Sequence, residues 1–278
     1  PHALPTPPPR PPALTPPRSA SPRLDDRWLR NLGPTAGAPR MRVFCIPHGG
    51  AGAAAFGPWR GSHPDLELCA VQLPGRGDRW TEPPHTRIDA LVEALADAIG
   101  PHLDLPFALF GASLGALLSF ELAHALRRRG LQSPALLIAA ACPAPHIPAL
   151  LGRRDEIVQA LAARDDLAAV QLGRLGILPE ALVREPEVVR MSLPALRADF
   201  GIVLGYAHRP APPLAVPLLA LGGTEDPDVA ADALQGWARY TTAPFRLHML
   251  PGGHLFYREQ PDARAEVLRA CRQALTRE

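Results

Sequence analysis

The chain has 278 residues, enough for one substantial core and, by default, one domain. Its apolar share of 47% is that of a globular protein, and no apolar run approaches the ~20 residues of a membrane span. A net charge of +2 gives no footprint for nucleic acid or an acidic membrane surface, although all 29 cationic residues are arginine.

Residues 1–24 contain no apolar segment of a targeting signal. They do contain ten prolines within the first 22 positions, which favours an extended, unpacked tail over a docking segment. The folded unit is expected over 25–278, opening near "DRWLRNLGP". Cys45, Cys69, Cys142 and Cys271 have neither CxxC nor metal-ligand spacing, so free thiols in a reducing cytoplasm are expected.

Short apolar runs then alternate with helical patterns. Strands are predicted at 41–47, 66–74, 107–110, 135–142, 216–223 and 245–253. Helices are predicted at 88–103, 114–129, 229–240 and 262–275. Strands that are apolar throughout and separated by helices imply an α/β fold, with a mostly parallel central sheet covered on both faces. Residues 146–205 break the alternation, being helical in pattern with no convincing strand. An insertion of that size reads as a helical lid.

Within "FALFGASLGALLSFELA", the Gly111-x-Ser113-x-Gly115 pattern sits where a strand passes into a helix. A sharp turn there would expose the Ser113 hydroxyl, and the helix N-terminus behind it favours developing negative charge. A glycine-rich packing turn is the bland alternative. A serine hydroxyl needs a base, and His254 in "LPGGHLFY" stands after the last strand, where a side chain can reach back over the strand ends. His248 lies inside the strand and His124 on the helix after Ser113; His48, in the "PHGG" that ends the first strand, is the competitor.

The base in turn needs an acid, and "GGTEDPDV" offers Glu225, Asp226 and Asp228 in the order serine, acid, histidine. Asp226, beside the turn-forming Pro227, is favoured; Glu225 and Asp228 are the alternatives, and Asp228 also suits the cap of the following helix. Oxyanion donors are expected at the backbone N–H of Leu114 and in the loop of Gly49 and Gly50. That loop could cradle a phosphate instead, but it has neither G-x-G-x-x-G nor a P-loop lysine.

Six collinear stretches, "IPHGGAGAAAFGPW", "VQLPGRGDR", "PFALFGASLGALLSFELA", "LRADF", "GGTEDPDVAADALQGW" and "LPGGHLFY", resemble the hallmarks of type II thioesterases. These are the discrete editing enzymes of polyketide and nonribosomal peptide synthesis. The resemblance runs from about Trp28 to the C-terminus. It implies an α/β-hydrolase fold with a helical lid, and hydrolysis of acyl or aminoacyl thioesters from the phosphopantetheine arm of acyl or peptidyl carrier proteins. By position it implies Ser113 as nucleophile, Asp226 as acid and His254 as base. Gly49 and Leu114 become the oxyanion donors, while His48 and Gly50 shape the substrate-binding loop. No metal and no separate cofactor are expected, the pantetheine being part of the substrate, and a cytoplasmic monomer is expected.

The chain departs from the family at three places. Ala112 stands where the family usually has histidine, "PHGGAG" stands for "PHAGGS", and the lid has extra residues around "AARDDLAAVQLG". Arg76 and Arg79 of "PGRGDR" read as loop anchors in preference to substrate contacts, and Arg127–Arg129 as a helix C-terminus that could also face an acidic carrier. Two further classes of function stay open: a chain-releasing cyclase or carboxylester hydrolase on the same fold, and a non-catalytic binding protein.

Overall fold

The computed structural model describes residues 27–33, 37–61 and 63–276. The proline-rich segment 1–24 lies outside the described residues. Seven strands form one sheet: β1 (Leu29–Asn31), β2 (Met41–Ile46), β3 (Leu66–Val71), β4 (Phe107–Ala112), β5 (Leu136–Ala140), β6 (Leu218–Gly223) and β7 (Phe245–Leu250). Their spatial order is β1-β3-β2-β4-β5-β6-β7. All pairs are parallel except β1 with β3.

The helices follow in chain order. Between β3 and β4 lies α1 (Ile88–Ile99), and between β4 and β5 lies α2 (Leu114–Arg128). Then come α3 (Arg154–Ala162), α4 (Asp165–Arg174), α5 (Glu180–Val183) and α6 (Pro186–Gly205) before β6. After it come α7 (Ala231–Gln235), α8 (Phe256–Glu259) and α9 (Pro261–Leu275). A parallel pair needs a crossover, which is why a helix lies between most successive strands.

Side chains alternate across the sheet, and both faces are buried. Phe44, Ile46, Cys69, Val71 and Leu109 pack in one cluster with α1 and α2. Val43, Cys45, Leu68, Ala70, Phe110 and Ala112 belong to a second cluster with Phe56, Trp59 and α9. The edge strand β7 alternates half-buried and exposed residues, and His248, with 46% of its side chain exposed, stands beside Glu266. The four cysteines are free and buried.

Several boundaries differ from the sequence expectations. The third strand stops at Val71 because Gln72 and Pro74 turn into a loop, and the ladder of β7 stops at Leu250, before Gly252 adopts φ +113°. The predicted helix 229–240 is α7 plus a tighter 3₁₀ turn, Gly236–Tyr240. Residues 53–59, read only as part of a glycine-rich loop, form a 3₁₀ turn that buries Phe56 and Trp59.

Residues 146–205 contain α3 to α6 and no strand. They hold a small apolar cluster of their own, including Ala168, Leu172, Val189, Leu193 and Leu196.

Candidate active site

In a parallel sheet the loops at the carboxyl ends of the strands converge on one side, and the polar residues singled out in the sequence lie there. Ser113 follows β4 directly. Its φ of +52° and ψ of −116° are outside the ordinary regions for a residue with a side chain. Two contacts over-determine that conformation: Ser113 N–H donates to Ala140 O at 2.8 Å, and Ala116 N–H donates to Ser113 O at 2.9 Å.

The flanking glycines are required by closeness of approach. A Cβ on Gly111 would lie 2.0 Å from Gly115 O, and one on Gly115 would lie 2.2 Å from Ile46 O. The turn therefore lifts Ser113 above the sheet edge, at the N-terminus of α2, where Leu114 is the first helical residue and its N–H has no partner within the helix.

His254 comes from the loop after β7 and Asp226 from the loop after β6. Nδ1 of His254 and Oδ2 of Asp226 are 2.8 Å apart. The Asp226 side chain is fully buried and that of His254 is 27% exposed. Asp228 N–H donates to the other oxygen, Oδ1, at 2.9 Å, so both oxygens of Asp226 are used. Asp228 is not a helix cap, since Ala230 takes that position without a side-chain bond. Its carboxylate instead accepts Nη1 of Arg153 at 3.0 and 3.1 Å. Glu225 is exposed.

Ser113, Leu114, Gly49, His48 and His254 line one cavity of about 120 Å³, which is roofed by Leu150, Ile157 and Phe200 from the helical segment. Among the described residues, no hydrogen bond joins Ser113 Oγ to His254, and the bond that holds the ring is the one to Asp226. Cys142 is also on the wall, but burial pushes its thiol up to about 12, which removes the thiolate as a rival nucleophile. A larger groove, about 810 Å³, runs between α1, α2 and the end of α6; its wall has no serine and neither Asp226 nor His254.

One oxygen or nitrogen from each of Asp226, Asp228 and His254 falls within a 4.8 Å cluster, the only such grouping among the described residues. A cation there would compete with Arg153 for Asp228 and with the hydrogen bond between Asp226 and His254. The donor set is therefore already committed.

The loop after β2 is set by a residue that the sequence reading quoted in "LRADF" without assigning it a role. Asp199 of α6 accepts Gly50 N–H at 2.6 Å and the Nη2 of Arg76 at 3.0 Å, with Nη1 of Arg76 on the same carboxylate. Gly50 has φ +79°, and a Cβ there would meet Leu196 Cδ2 at 2.4 Å. Gln72 adds a second tie, accepting Ala53 N–H at 2.8 Å and donating to Arg76 O at 2.7 Å. Arg79 pairs with Glu82 and covers the Trp28 ring at 4.2 Å. Both arginines anchor loops. Arg127 donates to Pro212 O and Pro213 O, while Arg129 pairs with Glu93 and Asp97.

His48 is neutral. Burial first, then Arg258, His254 and Arg76, lower it to about 3. Its Nδ1 lies 2.6 Å from Tyr257 Oη.

Comparison with known proteins identifies the family of the chain. The family model described as "Thioesterase domain" matches residues 41–275. The gramicidin S biosynthesis protein GrsT of Aneurinibacillus migulanus is 34% identical, over 89% of this chain and 94% of its own length. The solved type II thioesterase BorB, from the borrelidin biosynthetic cluster, is 33% identical with a TM-score of 0.76, covering 90% of this chain and 98% of its own. RedJ, a thioesterase from the prodiginine pathway of Streptomyces coelicolor, is 33% identical with a TM-score of 0.75, over 87% and 93% of the two chains. The sheet order and the helices on both faces are those of an α/β-hydrolase, and the chain belongs to the thioesterase family, with its likeness to the type II thioesterases.

Proposed function

We propose that the protein is a serine thioesterase that hydrolyses acyl, aminoacyl or polyketide thioesters from the phosphopantetheine arm of a carrier protein, in an editing role. The observation that supports it most is the 2.8 Å bond from Asp226 to His254, set on the same cavity as a half-buried serine with a strained backbone.

In this reading His254 Nε2 takes the Ser113 hydroxyl proton as Oγ bonds to the thioester carbonyl carbon. The Leu114 and Gly49 N–H groups receive the oxyanion. The C–S bond then breaks, and the proton on His254 passes to the pantetheine sulfur. Water next gives a proton to His254 and attacks the acyl-serine; the proton returns to Ser113 as the carboxylic acid leaves. Asp226 fixes the tautomer of His254 and stabilises its imidazolium. The scheme needs no metal or redox cofactor.

The cavity, about 120 Å³, is below the roughly 300–1,000 Å³ of ordinary ligand pockets. As it stands it suits a short acyl group, and a longer one requires the segment 146–205 to move as a lid. Among the described residues no helix is long and apolar enough to cross a membrane. We take the protein to act as a monomer in the cytoplasm.

Ser113→Ala should lower turnover of an acyl carrier protein by orders of magnitude with binding retained. Full-rate hydrolysis by that variant sinks the assignment. An oxygen ester, an N-acetylcysteamine thioester and a carrier-bound acyl group, compared side by side, separate a thioesterase from a carboxylester hydrolase.

A further inference from the structure

The contact between Tyr257 and His48 has no part in the proton transfers just described. Tyr257 lies in α8, three residues beyond His254, and is buried. Its ring packs against Phe56 and Phe110, with centroids 5.8 and 5.7 Å away, and its carbonyl accepts the Trp59 indole N–H at 3.1 Å. The phenol therefore has one available position, and from it Oη reaches His48 Nδ1 at 2.6 Å.

A bond of that length holds one proton between the two atoms, and its owner can be decided. Burial raises the Tyr257 hydroxyl above its ordinary value, so the phenol keeps its proton. If Nδ1–H donated to Oη, that phenolic proton would need a second acceptor. Among the described residues Tyr257 Oη has no other partner, and the surrounding rings provide none. A buried hydroxyl proton without an acceptor is costly, so the hydroxyl donates and Nδ1 accepts. A neutral imidazole has one ring proton, which must then be on Nε2. His48 Nε2 has no hydrogen-bond partner among the described residues, and His48 is on the wall of the cavity that holds Ser113 and His254.

We propose that Tyr257 is a positioning residue that holds His48 as its Nε2–H tautomer, and that His48 presents this N–H to a carbonyl oxygen of the bound acyl thioester. The tautomer follows from the phenol alone, while the identity of the acceptor rests on the thioesterase reading. A neutral donor also suits its neighbour: His254 becomes an imidazolium during each transfer, and a second cation beside it would oppose that step.

The test combines nitrogen-15 NMR of the full chain with kinetics on an N-acetylcysteamine thioester. In the unmodified protein His48 should show a bare Nδ1 and a protonated Nε2, and Tyr257→Phe should turn this into a mixture of tautomers. His48→Ala should lower kcat/KM about tenfold, the worth of one neutral hydrogen bond. Tyr257→Phe should lower it by no more than that and add nothing to His48→Ala. His48→Gln, which carries an amide N–H near the ε position, should recover most of the loss.

A protonated Nδ1 in the unmodified protein overturns the inference, as do losses that multiply in the double variant or an undiminished His48→Ala. Ser113→Ala, run alongside, separates the two readings. If it is inactive while His48→Ala is not slowed, the fault lies with the role given to His48. If Ser113→Ala hydrolyses normally, the serine mechanism fails and with it the proposed acceptor, whereas the tautomer is judged by the NMR result.

Discussion

Asp199 and Arg76 form a buried ion pair that also fixes the backbone beside the cavity of Ser113 and His254. Their side chains are 1% and 7% exposed, and the same carboxylate takes Gly50 N–H at 2.6 Å. Three segments therefore meet on one side chain: the loop after β2, the loop after β3, and α6. Removing one partner leaves the other charge buried and unpaired, which costs about 3–5 kcal/mol. Asp199→Ala should lower the urea midpoint accordingly and leave the slope of the transition unchanged. The folded fraction should also hydrolyse more slowly, because Gly49 and Gly50 lose their tether. An unshifted midpoint would show that the pair contributes only geometry.

The backbone of Ser113 gives a second prediction. Its φ of +52° with ψ of −116° costs a residue with a Cβ roughly 1–3 kcal/mol, part of which glycine would give back in unfolded-chain entropy. Ser113→Gly should therefore be about 1 kcal/mol more stable than Ser113→Ala, a difference of roughly 2–4 °C in Tm for a chain of this size. Both variants should be inactive. Equal Tm values would mean that the elbow is not strained.

These two cases show what the sequence can and cannot convey. Ser113, Asp226 and His254 were placed at strand ends because apolar runs closed by glycine or proline mark those ends well, and the sheet brings the ends of β4, β6 and β7 to one side. Asp199 and Tyr257 stand in quoted motifs, yet their partners are 123 and 209 residues away along the chain. Such pairings depend on how α6 and α8 pack, and no local pattern records that. The same holds for Asp228, which by local pattern suits a helix cap, whereas Arg153 reaches it from the helical segment. The three-residue β1 pairs antiparallel with β3 at the sheet edge, too short a run to leave a periodic signal.

Beside His48, which burial lowers to about 3, His124 supplies one part of the dependence on pH. It is 4% exposed on α2, and burial, followed by Arg127, Arg128 and His208, lowers it to about 4. The unfolded chain, with an ordinary value near 6.5, therefore binds a proton between about pH 6.5 and 4 that the folded chain does not. Stability is lost as the pH falls through that window, with a slope of up to about 1.4 kcal/mol per pH unit from this group. His124→Gln should reduce the slope of the stability curve between those pH values by this group's share, leaving that of His48, and change little above pH 7. A slope identical to that of the unmodified protein would place the proton elsewhere.

Ala112 is the residue that departs from the family pattern beside Ser113, and the structure says what a histidine there would meet. It ends β4 with 0% exposure and belongs to the cluster of Phe56, Phe110, Phe256 and Tyr257, on the face of the sheet away from α2. It does not line the cavity. An imidazole in that place overfills a closed apolar layer that Tyr257 shares, at a cost of typically 1–3 kcal/mol. Ala112→His should accordingly lower stability in that range. Any fall in kcat/KM should stay within the roughly tenfold loss expected of His48→Ala. In the proposed mechanism the proton passes through His254, held by Asp226, so no gain is expected. A variant that gained turnover by orders of magnitude would show that position 112 reaches the reacting atoms, which its burial on the far face argues against.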